Sequence, residues 1–376
     1  GGLGAEVTGN AVLGMVSAQT TTADAGSIDF EGQGELISTK GIDSPGVVLQ
    51  SIGGGGGWVG NVQGNSTLGA SHFGSADAGS IDASVDYTTI QTLGENSTGL
   101  LVQAIGGGGG FTGSTSGQAL TLGGNVNGNS SSGSGDLDLE TSAEINTFGK
   151  NSAALIAQSI GGGGGASATS DGDVVVMGTV SKATTLDSLP VISTGNVSVT
   201  NQSALRTNAI GSAGLIAQSI AGGGGYVAET KGSDEYEITF GADGNLIATA
   251  GNVTVQSQGE LITTAQAFSP ALVAQSIAGG GGFALLTAKG GGDTWIGATG
   301  NKIGQTYSGD VTVNNSAALV TQGNFSTALT AQTIGGGGGV INSAASGLNL
   351  GTLNHLGSAS AGDAVSYTHL RAHETV

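Results

Sequence analysis

The sequence predicts an all-β parallel β-helix, a β-solenoid built from six repeats of about 56 residues. Three observations carry that prediction. One word recurs six times at a near-fixed period. The composition disfavours helices. Short alternating segments separated by turn residues fill the space between the words.

The word is a short apolar strand ending in glycines. It reads VLQSIGGGGG at Val48, LVQAIGGGGG at Leu101, LIAQSIGGGGG at Leu155, LIAQSIAGGGG at Leu215, LVAQSIAGGGG at Leu272 and LTAQTIGGGGG at Leu329. The words occupy 47–57, 100–110, 155–165, 215–225, 272–282 and 329–339. Their glutamines, Gln50, Gln103, Gln158, Gln218, Gln275 and Gln332, are 53, 55, 60, 57 and 57 residues apart. A flexible linker has no reason to recur at one period in the same company. Self-similarity at fixed period marks a stack of supersecondary units, each of which needs its neighbours to bury its apolar face.

Of 376 residues, 75 are Gly, and charged residues make up 9%. Helix formers such as Lys, Arg and Glu are scarce, which argues against helices. Gly, Ser, Thr, Val and Asn are plentiful, which fits short strands and tight turns. The formal net charge is −19, so nucleic acid and anionic membrane surfaces are not expected partners. There is no Cys, hence no disulfide framework and no thiolate metal site. No apolar run approaches the roughly 20 residues of a transmembrane helix.

Counting back from each glutamine reveals a longer frame. Six residues earlier stands Ser44, Ser97, Ser152, Ser212, Ser269 or Ser326, and eleven earlier stands Thr39, Thr92, Thr147, Thr207, Thr264 or Thr321. Thirteen earlier is Ile37, Ile90, Ile145, Leu205, Ile262 or Leu319, and two later is always Ile. A glycine, Gly26, Gly79, Gly135, Gly195, Gly251 or Gly309, opens an alternating piece such as GNVSV 23 or 24 residues before the glutamine. The constant half of each repeat therefore reads as three strands: V-x-V, I-x-T and L-I-A-Q-S-I. Ser just before the third strand can bond its own backbone and set a turn. These 23 to 24 residues make about one coil, and the variable half, with alternation as in Tyr236, Ile238 and Phe240, makes another. Two coils per repeat at ~4.8 Å each predict a rod on the order of 60 Å long. On the third strand, Ile156, Gln158 and Ile160 share one side and Leu155, Ala157 and Ser159 the other. The constant Ile favours its own side as the core, with Gln158 buried beside it. Two coils per repeat would separate equivalent glutamines, so an amide ladder is left open.

The glycine runs read as coil corners, since Gly takes positive φ and admits close backbone approach. Gly55, Gly57 and Gly60 formally match G-x-G-x-x-G, but in so glycine-rich a chain the match is nearly automatic and no helix pattern follows. KGGGDTWIG at Lys289 only approximates a calcium-binding nonapeptide, because Asp293 follows the glycines directly and no tandem copy exists. Trp58, Phe111, Tyr226 and Phe283 follow the runs and are expected to pack on the core or the coil edge rather than form an exposed ligand-contacting row. The pairs Asp136 and Asp138, and Glu235 and Glu237, read as solvated acidic surface rather than a glycosidase pair. His72, His355, His369 and His373 show no metal-type clustering except the last two. Lys40, Lys150, Lys182, Arg206, Lys231, Lys289 and Lys302 are scattered singly. No catalytic, cofactor-binding or metal residue is assigned, and no cofactor is expected.

Val365 to Val376, VSYTHLRAHETV, crowds His, Arg and Glu into a chain otherwise nearly without them. It resembles the translation of a transposase sequencing adaptor. AGDAV at Ala361 reads as the start of a seventh repeat, since Gly362 lies 53 residues after Gly309. The expected division is a repeat region over 1–363 and an adaptor-derived tail, not a domain, over 364–376. Gly1 and Gly2 read as the end of an earlier glycine run, so the chain is expected to be an internal fragment.

The LVAQSIGGGGG-type word, repeated in an acidic Gly/Ser/Thr/Asn-rich frame over essentially 1–363, resembles the passenger regions of very large bacterial autotransporters, the type V secreted proteins of Gram-negative bacteria. The resemblance implies a signal peptide upstream and an outer-membrane barrel downstream as the passenger's own partner. It implies a stalk or adhesin at the cell surface, outer membrane or extracellular space, meeting a host or cell-surface glycan or protein. Two other readings stand beside it. Parallel β-helices also carry polysaccharide-active enzymes, which would need a non-repeated cluster of Asp, Lys or Arg on one face. A largely disordered glycine-rich surface protein would lack the regular alternation seen here.

Overall fold

The computed structural model describes residues 2–368 apart from 15, 70, 118, 172–173, 179, 182, 184, 186–187, 231–236, 242, 285–293, 298–303, 342–347 and 352–357. Among the described residues there is no α-helix, and every strand pairing is parallel. The strands stack into five sheets of six to eleven strands, each built from equivalent segments of successive repeats. The chain is an all-β parallel solenoid.

Each repeat makes one coil, not two. Gln103 lies in register with Gln50 on one side and Gln158 on the other, and the same holds along the row to Gln332. The variable half does not stack on the constant half as a coil of its own. Its segments pair with the same segments of the neighbouring repeats, for example Ala119–Leu122 with Ser66–Leu68 and Val174–Met177. The reason is that strands pair with whatever matches their length and register, and the matching segment lies a full repeat away. Seven strands in one sheet at ~4.8 Å give an axial length of about 30 Å, half the expected value.

Within a coil the V-x-V and I-x-T pieces share one outer sheet. In the first two coils they form single 12-residue strands, Ile28–Thr39 and Ile81–Thr92. Later coils break between them, as in Leu137–Thr141 and Glu144–Thr147. The break follows the residue at that point. Gly32 and Val85 continue the strand, whereas Thr141 bonds the Val85 carbonyl (3.0 Å), and Asn201 and Asn315 donate to the carbonyls two residues on, at 2.7 and 2.8 Å. Short polar side chains there compete with the ladder for backbone partners.

The glutamine strand turns back beneath this sheet and is buried on both sides. Leu100, Val102 and Ala104 pack with Ile81, Ala83 and Val85 of the outer sheet. On the opposite side Leu101 and Ile156 pack against Phe111, Ala166, Tyr226 and Phe283, which follow the glycines. Ile105, Ile160, Ile220 and Ile277 form a further column, flanked by Ile52 and Ile334. The expectation of one core face was thus too narrow, because the coil folds the glycine strand over the side that solvent would otherwise reach. The far side of the glycine strand, with Val59, Val62 and Val227, meets Leu68, Leu120, Leu122, Met177 and Phe240.

The side chain of Gln158 is fully buried yet satisfied. Its amide donates to Gln218 Oε1 at 2.7 Å and its oxygen accepts from Gln103 Nε2 at 2.7 Å. The row runs unbroken from Gln50 to Gln332. Each amide is both donor and acceptor, so identical residues one coil apart complete one another. The glycine corners are ordered by the same logic. Gly162, Gly163, Gly164 and Gly165 all have positive φ, and Gly163 N donates to Gly106 O of the preceding coil at 2.7 Å. A Cβ on Gly165 would stand 1.9 Å from Gly110 O, so the packed corner leaves room only for hydrogen.

Candidate functional site

The most structured polar surface lies at the corner between the I-x-T strand and the glutamine strand. Its foundation is the constant Thr and Ser. Thr147 Oγ1 donates to Ser152 O at 2.6 Å, closing the five-residue turn, and Thr39, Thr92 and Thr207 do the same in their coils. Ser152 Oγ accepts from Ser97 N at 2.9 Å and donates to Lys150 O at 3.1 Å, so each serine joins two coils while bonding its own turn. The expectation that this Ser sets a turn holds. The added link between coils was not foreseen, because it depends on equivalent residues being adjacent.

The turn forces the residue just before each Ser into the left-handed region. Those residues are Asp43, Asn96, Asn151, Gly211, Phe268 and Phe325, with φ of 51°, 56°, 56°, 71°, 55° and 58°. Asp, Asn and Gly take this conformation readily, but an aromatic residue there stores about 1–3 kcal/mol of strain. The row therefore changes character along the axis. Its first three members are polar and joined. Asn96 Nδ2 donates to Asp43 Oδ1 at 3.0 Å, and Ser114 Oγ donates to Asp43 Oδ2 at 2.9 Å. Thr169 Oγ1 donates to Asn96 Oδ1 at 3.0 Å and accepts from Asn151 Nδ2 at 2.9 Å. Asn151 also donates to Glu229 Oε2, and Lys150 Nζ donates to both Glu229 carboxylate oxygens at 2.7 Å. Burial lifts the Asp43 carboxyl above its ordinary range, against the lowering effect of the Ser114 and Asn96 hydrogen bonds.

The last two members are apolar. Phe268 and Phe325 stack with centroids 5.1 Å apart and ring planes 10° apart. Between the two halves sits Gly211, where the row has no side chain. A cleft of about 50 Å³ opens there, lined by Lys150, Asn151, Ile210, Gly211, Ala228, Glu229 and Phe268. Its base is firm. Tyr226 Oη donates to Gly211 O at 3.1 Å, and the Tyr226 ring stacks on Phe283 at 5.9 Å. Burial pushes the Tyr226 hydroxyl well above its usual value, so it remains a donor.

The structure disperses the other residues weighed from sequence. Phe111, Tyr226 and Phe283 are buried and Trp58 is half-buried, so the aromatic row behind the glycines is core packing. Gly107 N, Gly108 N and Gly109 N donate to Ala76, Gly53 and Gly55 carbonyls, so the glycine corners spend these amides between coils rather than on an anion. Asp136 accepts from Asn196 N at 2.7 Å and caps the next coil, as Asn196 and Asn252 do in turn, while Asp138 is exposed on the outer sheet. Glu237 is exposed, and Glu235 lies outside the described residues. Lys150 and Arg206 pair with Glu229 and Glu144, and Lys40 is exposed. His72 falls in strand Ser71–Ser75. Tyr236, Lys182, Lys231, Lys289, Asp293, Lys302, His355, His369, Arg371 and His373 lie outside the described residues. Among the described residues no group of three or more His, Asp or Glu could hold a metal.

At the ends, Gly2 takes the register of Gly57, and Ala364–Thr368 pairs with Val311–Asn315 as the first strand of a seventh coil. That strand begins at the expected boundary and lies within the stretch 364–376 read as tail. Comparison with family models, with curated proteins and with solved structures finds no match to the chain.

Proposed function

We propose that this chain is part of the passenger of a very large bacterial autotransporter, displayed at the cell surface as a stalk or adhesin. The observation that supports this most is the one-coil repeat. Each unit adds an identical rung through the same Gln, Ser, Thr and Gly contacts, so a rod lengthens by repetition without new design. With no Cys, the chain needs no oxidative step and can wind up coil by coil after crossing a membrane unfolded. The exposed corners recur along one edge, which suits many weak lateral contacts.

Residues 365–376 are taken as translated adaptor on sequence grounds. An exposed parallel edge accepts any short extended segment, so pairing at Ala364–Thr368 is compatible with that origin.

The test is a long-read sequence of the locus, joined to antibody labelling of intact cells with serum against this chain. The reading expects a signal peptide upstream, further repeats, a barrel of alternating strands downstream and labelled cells. A reading frame that stops after Val376, with unlabelled cells, would overturn it.

A further inference from the structure

We propose that the cleft at Gly211 binds a neutral pyranose ring, which fills the missing rung of the corner row between Asn151 and Phe268. The surface-adhesin reading supplies the setting for this site, but the chemistry stands on the residues.

Four observations converge. First, the row is interrupted at one coil only, by a glycine, and a cleft replaces the side chain. Second, Phe268 presents an aromatic wall. One face of its ring is covered by Phe325 of the next coil, and the ring borders the cleft on the side of Gly211. Third, the opposite wall holds a buried carboxylate, a buried amide and an ammonium group: Glu229, Asn151 and Lys150. Fourth, both phenylalanines sit at positive φ, where Asn or Gly would be relaxed. Strain kept at an exposed corner, beside a cleft, marks a site rather than a packing solution.

The chemistry selects the ligand. Lys150 neutralises Glu229 at 2.7 Å, so the cleft offers no net charge to a free cation or anion. The whole chain carries −19, which further disfavours anions. What remains is a hydroxyl-rich neutral ring. Its hydroxyls donate to Glu229 and to Asn151 Oδ1, which faces the Gly211 position, and accept from Lys150, while its C–H face lies on the Phe268 ring. An apolar wall with a few converging polar groups is the usual composition of a small-ligand site. The cleft admits one edge of such a ring, with the rest extending over Ile210 into solvent.

The experiment is saturation-transfer NMR on the full chain with methyl glucoside, methyl galactoside and methyl N-acetylglucosaminide. Wild type is expected to transfer saturation to at least one glycoside. Gly211→Asn restores the residue found in two other coils and fills the cleft. Phe268→Asn removes the aromatic wall and relaxes the backbone. Each is expected to weaken binding about tenfold with the β-sheet circular dichroism retained. No transfer to any of the three glycosides from folded wild type, or equal transfer in both folded variants, would overturn the site. Labelled cells displaying a chain that transfers to none of the glycosides would leave the surface reading standing and remove only the sugar site.

Discussion

From its opening glycine to the end of the glycine run, coil after coil repeats the same Thr, Ser, Gln, Ile and Gly positions and the bonds they make, with the corner row before the Ser as the exception. From there to the next opening glycine, coils share strand register but few side chains. In the first region Gln158, Ser152 and Thr147 each bond an equivalent of themselves or a fixed partner in the turn. In the second, Leu68, Leu122, Met177, Phe240 and Ile296 fill one apolar column with different shapes. The coil-to-coil spacing of 53 to 60 residues is absorbed there too. Directional bonds demand identical residues at identical offsets, whereas apolar contact demands only volume. The invariant half is therefore a hydrogen-bonded spine, and the variable half is ordinary packing.

The sharpest way to break the spine is Gly165→Ala. The added methyl meets Gly110 O at 1.9 Å and φ is 138°, so the two coils must part. The expected loss is on the order of 4 kcal/mol or more, read as amide exchange across Gly109–Thr115 and Gly164–Ser170. Gln158→Leu conserves volume but orphans Gln103 Nε2 and Gln218 Oε1. It should cost about 2–5 kcal/mol in urea unfolding, far more than an equivalent swap in the variable half. Ser152→Ala removes one link between coils and should cost about 1–2 kcal/mol.

Asp43 gives a pH signature. Its folded value is raised by burial, so the folded state keeps the proton where the unfolded chain has lost it. That contribution is complete below the ordinary aspartate value and is lost as pH rises through the raised one. Urea midpoints should therefore fall over that acidic window, and Asp43→Asn should remove this component and raise the midpoint at neutral pH. The smallest effect belongs to the variable half. Val191 is 49% exposed in a short strand, and Val191→Thr should stay within about 0.5 kcal/mol.

The repeat, the strands and the structural role of the glycines were legible because each leaves a pattern at fixed offset. The coil count was not. Alternation at Ile238 and Phe240 marks a strand but says nothing of its partner, and only the partner decides between one coil and two. The two-sided burial of the glutamine strand was hidden for a related reason: Leu155 and Ile156 look alike, and the covering glycine strand carries little side-chain signal. The cleft at Gly211 had a readable trace. In the column Asp43, Asn96, Asn151, Gly211, Phe268, Phe325, the residue type changes at the fourth member. Aligned against Ser rather than Gln, that column announces a shared conformation held by unlike residues.

The central claim is that one repeat makes one coil, and a cysteine pair tests it on a chain that has no cysteine of its own. Asp138 and Ser198 are in register on the outward side of the outer sheet, 60 residues apart. Neighbouring coils place their Cα atoms about 5 Å apart, inside the range a disulfide spans, and two coils per repeat would place them about 10 Å apart, beyond it. Asp138→Cys with Ser198→Cys should close an intramolecular disulfide on mild oxidation of the folded chain, while Asp138→Cys with Thr254→Cys, one coil further, should not. Folded protein that leaves both pairs as free thiols would contradict the one-coil solenoid.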